Sequence, residues 1–335
     1  MQNVTVGDLA QSLILSRQGE SLKTSLQKLS TEATTGLVAD QTQRLKGNYA
    51  PIAGIEASLT QLEAYHSVTT ETQIYASLMQ TALGSVIDQS SKLGSALLSG
   101  AWSQSSVQVD TLGQDSSQRL EAVISALNTQ QGDRSLFSGR ATDRKALASA
   151  DTLLTGLQGA VTRAGAVSAG AVEAAVNAWF ADRAGFQATV YQGGVVLDPV
   201  DVGTDQTAQI DVTALDPAIV ATLKGVAMAA LLSRGVLAGS DVARADLARR
   251  AGESLASAQT GITQVSARLG TTEAKIQNTA IRNDAEKDVL QTARLNLLSV
   301  DPYETAAKFQ EAQGQLQTLY AITARAARLK LVDFL

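Results

Sequence analysis

Seven positions spaced seven apart, Leu255, Ile262, Leu269, Ile276, Asn283, Leu290 and Leu297, are apolar in every case but one. An ideal helix turns every 3.6 residues and drifts off a strict seven. A repeat this regular therefore keeps one face in register only where the helix packs lengthwise on a neighbour. The companion positions Ala258, Val265, Thr272, Thr279 and Ala293 are small or β-branched, which lets that neighbour come close. A second seam, with gaps of three and four, runs Leu62, Tyr65, Val68, Thr72, Tyr75, Met79, Leu83, Val86, Ser90, Leu93 and Leu97. At 1.5 Å per residue, either helix is roughly 55–80 Å long. Asn283 fills an apolar slot in the first seam. One buried polar residue there fixes register at some cost in stability; an Asn turned to solvent is the other reading.

Composition narrows the function. Of 335 residues, 44% are hydrophobic and 18% charged, which excludes a wholly disordered chain. There is no cysteine, so disulfide scaffolds, thiolate metal sites and thiol nucleophiles are excluded. A single histidine, His66, removes most imidazole-dependent catalysis. The net charge of −5 offers no basic footprint for nucleic acid. No run approaches the ~18 uninterrupted apolar residues that span a bilayer, so no membrane insertion is expected. The opening MQNVTVGDLAQSLILSRQ lacks a basic stretch and a cleavage site, so any export is expected to use another, uncleaved signal.

Both chain ends carry helical stripes. Near the start these are Leu15, Leu22, Leu26 and Leu29, with Val6, Leu9 and Leu13 on a second face. Near the end, Phe309, Ala312, Leu316, Leu319, Thr323 and Ala326 form another. Asp301-Pro302-Tyr303-Glu304 is a helix start, with Asp301 as cap, proline in the first turn and Glu304 closing the box. The final Leu329, Leu331, Val332, Phe334 and Leu335 are too apolar for an ordinary loose tail. Leu9, Leu13, Leu22, Leu26, Leu29, Phe309, Leu316, Leu319, Leu329, Leu331 and Leu335 are the expected assembly surface.

The centre, residues 141–235, reads as a small mixed domain. Helical patches fall at Leu153–Val161 and at Val172, Val176, Trp179 and Phe180. Strands are expected at Phe186–Gln192, Val195–Val202 and Thr207–Thr213, and Asp216-Pro217 opens a helix through Leu232. Reactive constellations are poor. His66 lies beside an apolar stripe without enough ligands for a metal. Asp198, Asp201 and Asp205 lack the order of a calcium loop and read as a solvated turn. Arg244, Arg249 and Arg250 read as a solvated basic face. No phosphate-cradling glycine loop and no GxSxG elbow occurs. No cofactor, no metal and no catalytic residue is expected.

Several stretches carry a family resemblance. Ser12–Gly36 ends Leu29-Ser-Thr-Glu-Ala-Thr-Thr-Gly36, similar to the end of the first helix of the flagellin superfamily. Leu127-Asn128-Thr129, Gly132 and Leu136-Phe137-Ser138-Gly139 resemble the point where the chain leaves the helical rod in the hook-associated protein 3 branch. Val190-Tyr191-Gln192-Gly193-Gly194 fits the outer domain of that branch. Asp301–Ala306, Tyr320–Arg325 and Leu329–Leu335 are similar to the last helix. After Gly36 the sequence Leu37-Val-Ala-Asp40 departs from the family pattern, which leaves residues 37–50 unassigned.

The resemblance implies a mainly α fold: a long coiled-coil-like rod of paired N- and C-terminal helices with a small central α/β outer domain. Its expected parts are an inner-tube domain (1–36 with 301–335), the two rod halves (37–140 and 236–300) and the outer domain (141–235). Leu136, Phe137, Ser138 and Gly139 mark the outer-domain junction. It further implies a non-enzymatic structural subunit of the extracellular bacterial flagellum, at the hook–filament junction. Expected partners are copies of itself in a ring or helical assembly, hook-associated protein 1, flagellin and an export chaperone. A flagellin filament subunit and a secreted type III coiled-coil translocator or effector are the alternatives.

Overall fold

The computed structural model describes residues 6–100 and 105–332, with side chains described between residues 10 and 325. The chain falls into two compact units, Met1–Glu63 with Asp284–Leu335, and Ala64–Asn283. Two long helices, α3 (Ala50–Gly100) and α8 (Asp241–Leu298), contribute residues to both. They are the helices that the two seams predict.

In the first unit, α1 (Val6–Thr35) packs against α9 (Pro302–Val332). Asp301 caps α9 as expected, its Oδ1 accepting from Tyr303 N at 2.8 Å and Glu304 N at 3.2 Å, while the Glu304 carboxylate pairs with Lys308 at 2.8 Å, one turn on, instead of closing the box. The segment left unassigned by the sequence folds into a short helix, α2 (Gln41–Leu45), capped by Asp40. It is tied down by a strand-like exchange: Val38 N donates to Leu298 O at 2.8 Å and Val300 N to Gly36 O at 3.0 Å. Backbone hydrogen bonds from Gln43 and the Lys28 ammonium hold the Asp40 carboxyl below its usual range.

The second unit is built on one continuous apolar core. The α3 seam contributes Tyr75, Met79, Leu83, Val86, Leu93 and Leu97, and the α8 seam Leu255, Ile262, Val265 and Leu269. Three more helices cover them: α4 (Ser106–Leu127), α5 (Ala150–Arg163) and α6 (Ala169–Ala181). Ser149 and Ser168 cap α5 and α6, their side-chain oxygens accepting from Thr152 N and Ala171 N, orphan N–H groups of the first turn. α7 (Pro217–Ala230) starts as expected, with Asp216 accepting from Ala218 N and Pro217 in the first turn. The stretch Pro217–Arg234 is apolar enough to resemble a membrane span, but 61% of it is buried inside this unit.

Strand is scarcer than the sequence suggests. Two antiparallel hairpins occur among the described residues: β1 (Gln130–Gln131) with β2 (Arg134–Ser135), and β3 (Val200–Gly203) with β4 (Gln206–Ala208). Phe186–Gln192 is not a strand. Residues Arg183–Gln187 form a π-turn in which Gly185 presses on the Trp179 carbonyl so closely that no Cβ would fit. That turn buries Phe186 beside Phe180 and Trp179, with ring centroids 5.0 and 6.3 Å away. The third expected strand, Thr207–Thr213, stops at Ala208. Residues 209–213 after it take no regular secondary structure and bury Ile210 and Val212.

Candidate functional site: the terminal helix pair and the insert clamp

The two ends of the chain meet through half of their stripes. Leu22, Leu26, Leu29, Phe309 and Leu316 are half-buried, and Leu319 is buried. Leu13 remains 55% exposed. Leu335 lies outside the described residues, as do the side chains of Leu9, Leu329 and Leu331. Further apolar side chains on these helices, unremarked in the sequence stripes, are also in solvent: Ile14, Tyr303, Tyr320 and Ile322. They fall outside the three-and-four seams, and an apolar residue off the seam of a paired helix is what could have marked them. A cleft of about 590 Å³ opens between α1 and α9, lined by Gln18, Ser21, Leu22, Gly314, Thr318 and Ile322. Exposed apolar side chains of this kind are open to a further contact.

The four residues Leu136–Gly139 form a buried clamp. Leu136, Phe137 and Ser138 are essentially inaccessible. Their backbone reaches distant parts of the chain: Ala214 N donates to Phe137 O at 2.9 Å, and Gly194 N to Ser138 O at 2.7 Å. Just beyond them, Arg140 N donates to Val195 O at 2.8 Å. Gly139 has φ +60°, and a side chain there would collide with the Val195 carbonyl. A Cβ on Gly193 would lie 2.6 Å from Ser138 O. Two motifs far apart in sequence, Leu136–Gly139 and Gly193-Gly194, are therefore one close backbone crossing. Glycine is required on both sides because nothing larger fits. Arg140 adds an ion pair to Asp198 across the same crossing.

Two residues outside the expected site hold the clamp from beneath. Tyr75 on α3 donates its hydroxyl to Leu136 O at 2.8 Å and Ser135 O at 3.2 Å. Burial pushes the Tyr75 phenol up to about 12, against the opposing pull of Arg134, whose guanidinium lies 5.8 Å over the ring and pairs with Glu71. Asn128 grips Leu147 through both of its amide atoms. Asn128 stands inside the quoted motif, but its partner is legible only in three dimensions.

The arginines read as a solvated face are instead braces. Arg244 is 7% exposed and donates to Asp110 at 2.6 Å and Leu232 O at 3.2 Å. Arg250 joins Asp246 on its own helix to Glu173 on α6, and Arg249 bridges Asp246 and Glu253. Burial opposes ionisation of Asp246, but hydrogen bonds from Arg250 and Arg249 prevail and hold its carboxyl low. His66 is exposed on α3, and Asp205 takes φ +55° in the turn between β3 and β4. Among the described residues, no three His, Asp or Glu side chains converge on a point that would hold a metal. The described contacts of these residues tie remote parts of the one chain together.

Residues 253–335 match the family model of the bacterial flagellin C-terminal helical region. No curated protein matches the chain in sequence. Among solved structures, a Vibrio parahaemolyticus chain described as a flagellar hook-associated protein is similar at TM-score 0.50 and 15% identity. The likeness covers 73% of this chain and 94% of that one. At that identity it is the fold that is shared. Residues 253–335 thus carry the bacterial flagellin C-terminal helical region, within a mainly α fold of long helices and small hairpins that the chain shares with that flagellar protein.

Proposed function

We propose that the chain is the subunit that joins hook to filament, contacting hook-associated protein 1 on one side and flagellin on the other. The observation that carries this reading is the clamp at Leu136–Gly139. It packs Leu136–Gly139, which resembles the point where the chain leaves the rod in the hook-associated protein 3 branch, against Gly193-Gly194 of the stretch that fits that branch's outer domain. The likeness to a chain described as a flagellar hook-associated protein supports it, since that chain is covered almost end to end. The match of residues 253–335 to flagellins favours a filament subunit as the second reading.

In this account residues 1–36 and 301–335 are the assembly domain. Their exposed Leu13, Ile14, Tyr320 and Ile322 are to be buried between copies in a ring or helix. Residues 37–140 and 236–300 are the rod halves, and 141–235 the outer domain. Export proceeds without a cleaved signal, with a chaperone covering the C-terminal helix until assembly, and the chain performs no catalysis. Deleting the gene tests the reading. Cells are expected to keep hooks, lose filaments and shed flagellin into the medium, with rescue by the full chain. Filaments of normal length on the deleted strain would overturn it.

A further inference from the structure

The β3–β4 hairpin is attached to its unit through an interface separate from the main core. Val202 and Ala208 are buried against Ile276 of α8, with Val68 of α3 partly buried beside them, in a cluster of their own. Two side chains of α8 donate to the hairpin backbone. Asn283 Nδ2 reaches Val202 O at 2.8 Å, and Lys275 Nζ reaches Thr207 O at 2.7 Å. Gly203 comes so near that a Cβ on it would meet Thr279 Cγ2 at 3.0 Å and Asn283 Oδ1 at 3.2 Å. The strand register shifts between Asp201 and Gly203, where the chain bends onto the helix. Elsewhere the hairpin is undercut. Val200, Ala208 and Ile210 line a cavity of about 290 Å³ whose other wall is Val68, Thr72 and Tyr75 of α3.

These facts set the balance of forces. A two-stranded hairpin of this length does not hold itself together in water. Its order depends on what it rests upon, and atoms facing a void lose the contacts they would make in a filled core. What remains is a handful of apolar side chains and two side-chain-to-carbonyl hydrogen bonds, one of them from an exposed lysine. An element held so lightly opens at a free energy well below that of the whole unit. It also explains the polar residue in the α8 seam: Asn283, 7% exposed, satisfies a hairpin carbonyl there.

We propose that β3–β4 is a strap that lifts from α8 as a body while the surrounding core stays folded, with Asn283 as its clip. Lifting uncovers a strip of α8 at turn spacing, Ile276, Thr279 and Asn283, next to Val68. The inference does not depend on where in the flagellum the chain resides.

Hydrogen exchange on the full chain tests it. Amides of 200–208 are expected to exchange at least about 100-fold faster than those of 219–229 in α7. Asn283→Ala is expected to speed 200–208 by about tenfold and leave 219–229 unchanged. Lys275→Met, which removes only the surface donor, serves should the first variant misfold, with a rise of about threefold confined to 200–208. Equal rates for hairpin and α7 in the parent chain, or equal acceleration of both in either variant, would overturn the proposal and make the hairpin part of the core.

Discussion

Asn128 and Leu147 pair like two residues of a sheet, although one of them contributes a side chain. Nδ2 of Asn128 donates to Leu147 O at 2.9 Å, while Oδ1 accepts from Leu147 N at 2.8 Å. The asparagine thereby pins the start of the insert to the end of α4. Replacing it with alanine leaves both backbone groups of a fully buried leucine without partners, and is expected to cost about 2–4 kcal/mol. Asn128→Asp keeps the acceptor but turns a second oxygen toward the Leu147 carbonyl, so it is expected to be at least as damaging. Denaturant unfolding of both variants reads this directly.

Gly139 and Gly132 form a matched pair for testing the clamp. Both have positive φ, +60° and +58°. A Cβ on Gly132 meets nothing within 4 Å, whereas one on Gly139 collides with the Val195 carbonyl. Gly132→Ala is expected to cost about 1 kcal/mol, the strain of the left-handed region alone. Gly139→Ala is expected to cost about 3 kcal/mol or more, because the crossing with Gly193-Gly194 must open. Equal losses in thermal unfolding would show that the crossing contributes no constraint.

The buried phenol of Tyr75 gives alkaline stability a defined window. Its ordinary value of 10.0 is raised to about 12 in the fold. An acid that is harder to ionise when folded contributes stability below its unfolded value, and that contribution is lost as pH rises from about 10 to 12. Two units correspond to roughly 2–3 kcal/mol. Burial raises the Tyr191 phenol as well, so it acts in the same direction. Tyr75→Phe is expected to be less stable at pH 7, having lost the bonds to Ser135 and Leu136, and to show a shallower decline above pH 10. An unchanged slope in unfolding free energy against pH would contradict this.

What the sequence made legible was whatever repeats locally. The seams of α3 and α8 could be traced because burial recurs every three or four residues, and Met79, Leu83, Ile262 and Leu269 are indeed buried. The caps at Asp301 and Asp216 were equally readable, since each involves residues within one turn. Contacts between remote positions left no such trace. Nothing local tells Phe137 that it will accept from Ala214, or Asn283 that a hairpin carbonyl will lie above it. Phe186–Gln192 misled because β-branched and aromatic residues suit any half-buried backbone. Here Gly185 let the chain tuck under Trp179 instead.

Removing residues 301–335 is expected to separate assembly from folding. The deletion takes away the 31-residue α9 and deprives the 30-residue α1 of its partner. Isolated helices carrying half-buried stripes are marginal in water, so both contributions to the helical signal are expected to fall. The unit Ala64–Asn283 keeps its core, and its melting transition is expected to survive while assembly is abolished. Circular dichroism with sedimentation checks both. Global unfolding of the truncated chain would refute this division of labour.

The most direct measurement is immunogold electron microscopy of intact flagella with antibody raised against residues 141–235. The account predicts a single narrow band of label where hook meets filament. Label along the whole filament would make the chain a flagellin, and absence of label from flagella would contradict the flagellar assignment itself.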